Sequence, residues 1–476
     1  QPVFLIRARA VTIEFNELMP GQAFRIFGRN LKAGNGVPIV QFITTGKAPL
    51  IAKCNKGDAY TLELVAPKLQ AGQHYRVTVS NGMAGKWGRT ISDERILARP
   101  ASVDPFDLKT AWGTAFTFYK NIYNVRTDPR LRLKAAGDGK ANDRKALQEA
   151  IDRAHQDGGG VVYLPAGNYK LDFNSGAGLI LRSRVVLKGD GFKQTRIQYG
   201  FGTPPPYDNP IGKSGWPDST INGVAILWPL NTTLTGLYRL ELQNVNTSGA
   251  WKHSLKNMPP PEKKPGAGGS RFFVAECRFD LAVAWGLTWG HVDRFIIRDS
   301  EFESHARNTW PWQWHCNGAT NFSVRHNSVK YAAGRFGFSD SDHGVLEYNH
   351  FIRLGDEQMI KGESGGFNID YAADIVVLAN HMEVQGRNID PIVNNNQGET
   401  ILSQGGNPDN QDAGSVAAAT ANSVTVAGKN WRFPIRKASL SASDAIAIVA
   451  GRGAGQWRYI KENNTNTLQV TKPWTV

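Results

Sequence analysis

The chain has 476 residues, a formal net charge of +14 and 10% aromatic residues, which indicates a folded protein of two or three domains. It contains no apolar run of about 18 residues, so a membrane-spanning helix is excluded. Three scattered cysteines exclude a disulfide framework and a cysteine zinc site, and no metal or cofactor is predicted. The basic residues are spread along the chain, which favours an anionic polysaccharide over nucleic acid as the partner.

Residues 1–100 alternate short strands with turn residues, and this pattern predicts a β-sandwich. The turns resemble those of immunoglobulin-like domains of the IPT or TIG type, in Pro20-Gly21-Gln22, Gly28-Arg29-Asn30-Leu31, Ala71-Gly72-Gln73-His74-Tyr75 and Ser80-Asn81-Gly82. The resemblance implies a spacer or carbohydrate-facing module with no chemistry of its own. Residues 101–130 follow as an aromatic linker that packs across the domain junction.

Residues 131–411 are predicted to form a right-handed parallel β-helix. An amphipathic helix comes first, started by Asn142 or Asp143 and ended by Gly158-Gly159-Gly160. The strand Val161-Val162-Tyr163-Leu164 and the later motif Val186-Leu187-Lys188-Gly189-Asp190-Gly191 follow it. These motifs resemble the opening of the pectate-lyase-like superfamily, in which the helix caps the open end of the solenoid. Hydrolases, lyases, epimerases and phage tailspikes share them, so they build the fold and do not name a reaction.

Five similar segments form a ladder from about Phe272 to Gly405. Their large apolar anchors are Phe279, Phe302, Val329, Phe351 and Met382, which lie 23, 27, 22 and 31 residues apart. A period in the twenties without helical pattern predicts one coil per repeat, each adding about 4.8 Å along the solenoid. The fold class is therefore all-β.

Residues 412–476 lose the coil pattern. They read either as a β-rich insertion or as the start of further coils, without the cap that closes a solenoid. A second polypeptide fragment or subunit would then complete the β-helix. The chain begins Gln1-Pro2-Val3 without a methionine, which predicts a mature secreted or periplasmic protein.

Aligning the strand after each anchor places charged and aromatic residues on one outer face. In this alignment Trp285, Trp310, Arg335, Glu357 and Glu399 stack on successive coils, with Lys361 beside them, while Phe336, Phe338, Ile360 and Leu402 point inward. Glu357 and Glu399 would lie about 5 Å apart, the separation of a retaining glycosidase's two carboxylates. The predicted substrate-binding residues are Trp285, Trp310, Trp312, Trp314, His315, Arg335 and Lys361, because tryptophan faces stack on sugar rings.

Other acidic residues compete for the catalytic role. Asp340, Asp342 and His343 cluster at a turn, and Glu363 follows the Glu357 strand. Preceded by Phe336-Gly337-Phe338, the cluster resembles the Tyr-Gly-Phe-Asp-Pro-His motif of mannuronan epimerases, but the Asp-Pro-His core is absent. The aspartates also fit a purely structural role as turn formers.

Three functions remain open from the sequence. The first is a glycoside hydrolase that cleaves a polysaccharide or oligosaccharide with paired carboxylates. The second is a lyase or epimerase of a uronate-containing glycan, with Lys361, Arg335, a histidine or a tyrosine as base and cations neutralising the substrate carboxylate. The third is a non-catalytic glycan-binding or tailspike-like protein.

Overall fold

The structure, a computed structural model, is almost entirely β, which confirms the predicted fold class. Among the residues it describes, no helix is long and apolar enough to cross a membrane. Those residues are 8–83, 89–172, 179–200, 226–243, 247–249, 268–281, 285–304, 312–331, 335–354, 367–370, 372–385, 401–404, 414–431, 445–448, 453 and 456–475.

The N-terminal β domain consists of eight strands in the order β1-β3-β6-β5-β4-β7-β8-β2. Neighbours are antiparallel except β8 and β2, which are parallel. Alternating apolar residues such as Phe24, Ile26, Val40 and Phe42 form its core. Membership of the IPT or TIG group stays a prediction. The strands are β1 (Arg9–Ile13), β2 (Glu17–Leu18), β3 (Ala23–Arg29), β4 (Ile39–Ile43), β5 (Leu50–Gly57), β6 (Thr61–Val65), β7 (His74–Ser80) and β8 (Arg89–Ala98).

One α-helix, α1 (Arg144–Gln156), covers the start of the solenoid. The Asn142 Oδ1 atom accepts a hydrogen bond from the Arg144 N–H at 3.1 Å. The Asp143 carboxylate instead accepts from the backbone N–H groups of Ala136 and Gly137. The apolar face of α1 is buried in the same core as the first coil, which keeps water from that core. That face consists of Ala146, Leu147, Ala150, Ile151 and Ala154.

The strands of the solenoid run from residue 122 to residue 404. They are β9 (Ile122–Asn124), β10 (Asp138–Asn142), β11 (Gly160–Leu164), β12 (Gly167–Asp172), β13 (Leu179–Ile180), β14 (Val185–Gly189), β15 (Thr195–Gly200), β16 (Ile226–Trp228), β17 (Thr232–Tyr238), β18 (Glu241–Gln243), β19 (Thr247–Gly249), β20 (Gly269–Ala275), β21 (Arg278–Leu281), β22 (Trp285–Gly290), β23 (Val292–Arg298), β24 (Glu301–Ser304), β25 (Trp312–Asn317), β26 (Thr320–Arg325), β27 (Ser328–Tyr331), β28 (Arg335–Ser339), β29 (Asp342–Glu347), β30 (His350–Leu354), β31 (Phe367–Asp370), β32 (Ala373–Leu378), β33 (His381–Gln385) and β34 (Ile401–Gln404).

These strands form three parallel sheets, and from β11 onward the chain visits them in turn on each coil. Sheet 1 comprises β13, β16, β19, β22, β25, β28, β31 and β34. Sheet 2 comprises β9, β11, β14, β17, β20, β23, β26, β29 and β32. Sheet 3 comprises β10, β12, β15, β18, β21, β24, β27, β30 and β33. This is a parallel β-helix.

The predicted anchors all lie in sheet 3 and in register. Phe279 pairs with Phe302, and the column continues through Val329, Phe351 and Met382. The first four anchors are at most 1% exposed, and Met382 packs on the same core. The anchors therefore form the continuous core that the repeat predicted.

Each repeating segment turns the corner between sheets 2 and 3, so it contains parts of two strands, such as β20 and β21. A ladder of buried polar side chains holds these corners together. The Asn349 Oδ1 atom accepts from the Asn327 backbone N–H at 3.1 Å, and the Asn380 Oδ1 atom accepts from the Asn349 N–H at 3.0 Å. On the previous coil, Asn327 accepts from the Ser300 N–H in the same way. The ladder satisfies backbone donors that neither sheet can pair.

The linker covers the outer face of sheet 2. Two short 3-10 helices, Ala111–Ala115 and Thr117–Lys120, form part of it. Phe106 and Phe116 lie 5.0 and 5.3 Å from Phe273 of β20, measured between ring centroids. Arg298 and Arg325 donate from the same face to the carbonyls of Phe106 and Leu108. The linker therefore seals one side of the solenoid.

Charged pairs also join the N-terminal β domain to sheet 2. Arg25 binds Glu347 with two hydrogen bonds of 2.7 Å, and it also binds Glu14. Glu17, which is 3% exposed, lies among Arg99, Arg271 and Arg294. These groups fix how the domain sits on the solenoid.

The described C-terminal strands pair antiparallel in a separate sheet of order β35-β36-β39-β38-β37. Val424, Ile460 and Leu468 form its small core. The strands are β35 (Val416–Ala419), β36 (Ser423–Val426), β37 (Ala445–Ala447), β38 (Trp457–Asn463) and β39 (Thr467–Val470).

Candidate functional site

Sheet 1 carries the strands in which the substrate-binding residues were predicted. The backbone pairs Trp285 with Trp312, and Trp312 with Arg335. The predicted partner of Trp285 was Trp310, two residues earlier, so that alignment is wrong. Alternation within one strand does not fix its register against the neighbouring coil, and a separate irregularity between Trp312 and Trp314 shifts the pairing of β25 with β28.

The predicted strand at Glu357–Lys361 is also misaligned. Phe336 of β28 pairs with Phe367, and Phe367 pairs with Ile401. The strand that follows β28 is therefore Phe367–Asp370. In this register Leu402 of β34 pairs with Asn368 of β31, which in turn pairs with Gly337 of β28. The predicted alignment had instead placed Leu402 level with Phe338, which is buried.

Several predicted site residues lie outside the described residues. These are Glu357, Glu399 and Glu363 among the catalytic candidates, and Trp310 and Lys361 among the binding candidates. The structure places Trp314 and His315 in β25, opposite Leu287 and Thr288 of β22. The roles of all these residues stay predictions.

The structure does assemble an acid/base cluster at the corner between sheets 1 and 2, where the sequence placed Asp340 and Asp342. Asp340 ends this turn with φ 51° and is buried, and Asp342 begins β29. The Asp342 carboxylate contacts the His343 Nδ1 atom at 2.9 Å. Their side chains are 40% and 21% exposed, so the pair is partly open to solvent. A carboxylate on one ring nitrogen orients an imidazole for proton transfer through the other.

Asp374 joins the cluster from the next coil. Asp342 pairs with Ala373, and His343 and Asp374 both adopt left-handed backbone conformations, with φ 54° and 53°. The conformation recurs at Arg294 and Asn321 in the preceding strands, so a backbone bulge repeats along sheet 2. The ligating atoms of Asp342, His343 and Asp374 all lie within 4.8 Å of one another.

The electrostatics of the cluster favour uncharged forms of two groups. Burial raises the pKa of Asp374 above its ordinary value, and the nearby Asp342 carboxylate adds to this rise. Burial, with the carboxylates of Asp342, Asp374 and Asp340, raises the pKa of Tyr459 in β38 to about 12. Tyr459 is therefore a phenol at neutral pH and can donate a proton but not accept one.

Cationic groups from other parts of the chain act on the Asp374 carboxylate. His343, Lys472 and Arg9 all lower the pKa of Asp374, opposing its burial. Arg458 lies near Arg9 and stacks on Trp474 at 5.3 Å. The cluster thus combines a histidine base, a phenol and cations, which is what proton abstraction next to a carboxylate requires.

The sequence placed His343 in the turn cluster with Asp340 and Asp342, and it missed Asp374 and Tyr459. Asp374 could have been found from the repeat, because it occupies the position of His343 one coil later. Tyr459 carries no local signal, since it reaches the cluster from a separate sheet.

Comparison with known proteins identifies the solenoid. Residues 131–205 match the family model described as "Rhamnogalacturonase A/epimerase, pectate lyase-like". The solenoid is a pectate-lyase-like parallel β-helix. The family resemblance seen in the opening motifs is thereby confirmed.

Two curated relatives of this chain come from Azotobacter vinelandii. Alginate lyase 7 is 48% identical over 79 residues, which are 16% of this chain and 9% of that protein. Mannuronan C5-epimerase AlgE5 is 43% identical over 225 residues, which are 46% of this chain and 20% of that protein. The chain thus spans a fifth or less of either relative's length.

A solved structure adds little to this pectate-lyase-like assignment. The A-module of mannuronan C-5 epimerase AlgE6 from Azotobacter vinelandii gives a TM-score of 0.36 at 17% identity, covering 60% of this chain and 87% of that one. The fold assignment rests instead on the strand pairing described above.

The predicted glycoside hydrolase is wrong. The curated proteins that match the chain are an alginate lyase and mannuronan C5-epimerases, and none of those matched is a glycoside hydrolase. The carboxylate pair behind that prediction also depended on a strand alignment that the structure replaces.

Proposed function

We propose that the chain acts on a uronate-containing polysaccharide by removing the proton at C5 of a uronate residue, as a lyase or an epimerase. The observation that carries the proposal is the His343–Asp342 pair beside Asp374, Tyr459 and a group of cations. The names of the relatives, which act on mannuronan or alginate, support the same substrate class.

The first step is the same for both reactions. The neutral His343 imidazole takes the C5 proton, and the electron pair left on C5 delocalises into the substrate carboxyl group. That group must be neutralised, because a free carboxylate makes the C5 proton only weakly acidic. Lys472 and Arg9 are the cations near Asp374 that would serve this purpose.

The second step separates the two reactions. In a lyase the C4–O4 bond breaks, a C4=C5 double bond forms, and the departing O4 takes a proton. In an epimerase C5 takes a proton from the opposite face of the sugar, and no bond of the polymer is cut. Tyr459, whose hydroxyl is protonated at neutral pH, is the proton donor we assign to either second step.

The test incubates the purified chain with polymannuronate and a panel of other polyuronates. Ultraviolet absorbance reports unsaturated ends, NMR reports the ratio of C5 epimers, and reducing ends report cleavage. Absorbance indicates a lyase, and a changed epimer ratio without absorbance indicates an epimerase. Reducing ends without absorbance, or no change on any polyuronate, would contradict the proposal.

Two variants test whether His343 is the general base. His343→Asn should lower kcat by at least about 100-fold, the contribution of a general base. His326→Asn is the matched control, since His326 is an exposed histidine on the opposite corner, stacked on Tyr348. Full activity in His343→Asn would remove this cluster from the mechanism while leaving the substrate class open to the first test.

A further inference from the structure

Two histidines occupy the same repeat position on the outer face of sheet 3. His350 and His381 immediately precede the anchors Phe351 and Met382, and they pair across β30 and β33. Because neighbouring residues of a strand point to opposite faces, the inward anchors turn both histidines outward. Their side chains are 43% and 68% exposed, and their ring centroids lie 4.8 Å apart.

A carboxylate completes a triangle with these rings. Glu383 lies two residues after His381, on the same outer face. Its Oε2 atom is 3.7 Å from the His350 Nε2 atom and 3.5 Å from the His381 Nε2 atom. Both distances exceed the roughly 2.7–2.9 Å of a charge-assisted hydrogen bond. The His350 Nε2 atom is shielded from solvent and has no hydrogen-bond partner among the described residues.

The triangle has the dimensions of a coordination site. All three ligating atoms lie within 4.8 Å of one another. Two ligands placed about 2.1 Å from a tetrahedral zinc ion are themselves about 3.4 Å apart, close to the distances between Glu383 and either ring. We propose that His350, His381 and Glu383 bind a divalent transition cation of the zinc class. Calcium and magnesium are disfavoured, because they prefer oxygen ligands.

The other cluster of similar composition is a poorer cation site. In the Asp342, His343 and Asp374 group, the Asp342 Oδ1 atom already lies 2.9 Å from the His343 Nδ1 atom, which leaves less room for an ion between these two atoms. Lys472 and Arg9 also place positive charge beside Asp374. Repulsion from these cations disfavours a further cation there, whereas the sheet 3 triangle offers two imidazole nitrogens and one carboxylate.

The bound cation would join two coils. His350 and His381 come from adjacent coils, 31 residues apart in the chain, so one ion spans their junction. The second coil also carries Asp374, in β32 just before β33. A cation that binds the folded chain alone raises its stability by mass action, and it would stabilise the coil that supplies Asp374. The proposal does not depend on the proposed reaction.

The experiment uses the full chain without a histidine tag, freed of metal by a chelator and dialysed. Zinc is titrated with calorimetry, and cobalt is added separately to reveal visible absorption bands of tetrahedral coordination. We expect one zinc per chain, a rise in thermal midpoint with zinc, and tetrahedral cobalt bands. No binding, or binding without any midpoint shift, overturns the proposal.

Variants locate the ion. His381→Gln and Glu383→Gln should each weaken zinc binding by at least about tenfold and abolish the midpoint shift. His381 is mostly exposed, so His381→Gln leaves the fold intact. His74→Gln, at an exposed histidine of β7, and Asp342→Asn should bind zinc like the unmodified chain. Unchanged binding in His381→Gln, or loss in Asp342→Asn, would overturn the assignment.

Discussion

Sheets 2 and 3 run side by side along the same solenoid, but their outer faces differ in environment. The outer face of sheet 2 is dry: Phe273 and Ile296 are buried there beneath the linker, and Glu347 is 3% exposed beneath the N-terminal β domain. The outer face of sheet 3 exposes Glu301 and Lys330. The same strand repeat therefore supports a packed interface on one side and a solvated surface on the other.

The amino-acid sequences of the strands reflect this difference between the outer faces of sheets 2 and 3. Strand β20 ends in Phe272-Phe273-Val274-Ala275, an uninterrupted apolar run, as expected for a strand segment covered on both faces. Strand β24 reads Glu301-Phe302-Glu303-Ser304, an alternation with one buried face. Charges on sheet 2 must therefore be paired in a dry environment, whereas those on sheet 3 remain hydrated. Four predictions test this contrast, in order of decreasing effect.

The largest effect should come from the aromatic contact between sheet 2 and the linker. Phe273→Ala removes a fully buried ring that contacts Phe106 and Phe116, and we expect a loss of about 3–5 kcal/mol in the free energy of unfolding. Lys330→Ala on sheet 3 should change it by less than about 0.5 kcal/mol. Urea denaturation measures both. Equal effects would show that sheet 2 is not covered as described.

Breaking a buried ion pair on sheet 2 should come next. Arg25→Met leaves the carboxylates of Glu14 and Glu347 buried without their guanidinium, and we expect a loss of about 3 kcal/mol. The matched control is Arg278→Met, which breaks the partly exposed pair with Glu303 on sheet 3 and should cost less than about 1 kcal/mol. Thermal and urea unfolding report both. A control that costs as much as Arg25→Met would contradict the contrast.

The corner between the two sheets should show an intermediate effect. Asn349→Ala removes the acceptor of the Asn327 backbone N–H and leaves buried groups unsatisfied, at a cost of about 2 kcal/mol. Asn349→Ser should recover part of this, because Ser300 occupies the same ladder position and its hydroxyl accepts from the Cys277 N–H. Denaturation midpoints compare the stability of the unmodified chain with that of the two variants. No difference between the two variants would argue against the ladder.

The smallest effect is a pH dependence that arises at the sheet 2 interface. Burial raises the pKa of Glu17, but hydrogen bonds from Arg99 and the charges of Arg294 and Arg271 outweigh burial and hold it below its ordinary value. A depressed folded-state pKa stabilises the fold above the unfolded value of 4.5, and this contribution is lost as the pH falls below it.

Glu17→Gln should therefore flatten the loss of stability on acidification between about pH 5 and pH 3. Glu301→Gln, at an exposed position of sheet 3, is the control, and it should lose stability on acidification as steeply as the unmodified chain. Urea denaturation across this pH range measures the slopes. If Glu17→Gln still lost stability on acidification as steeply as the unmodified chain, Glu17 would be excluded as the source of this pH dependence.

Much of the solenoid could be predicted because its information is local and repeated. The anchors from Phe279 to Met382 occupy one column, as their spacing indicated, since each must fill the same core. Prediction failed at β31 because residues 357–361 alternate in sequence as a strand does, and local alternation does not show which segment pairs with β28. Register is set by pairing with the previous coil, and a shift of one residue reverses the faces.

The sequence by itself determined the coil period, the buried anchors and the capping helix, because each depends on residues close together in the chain. Only the tertiary structure decided which charges meet. Asp374 reaches His343 from the next coil, and Tyr459 reaches the same cluster from a different sheet. The pKa of Tyr459 rises because burial and three aspartates act on it together, and such an environment exists only once distant segments have packed.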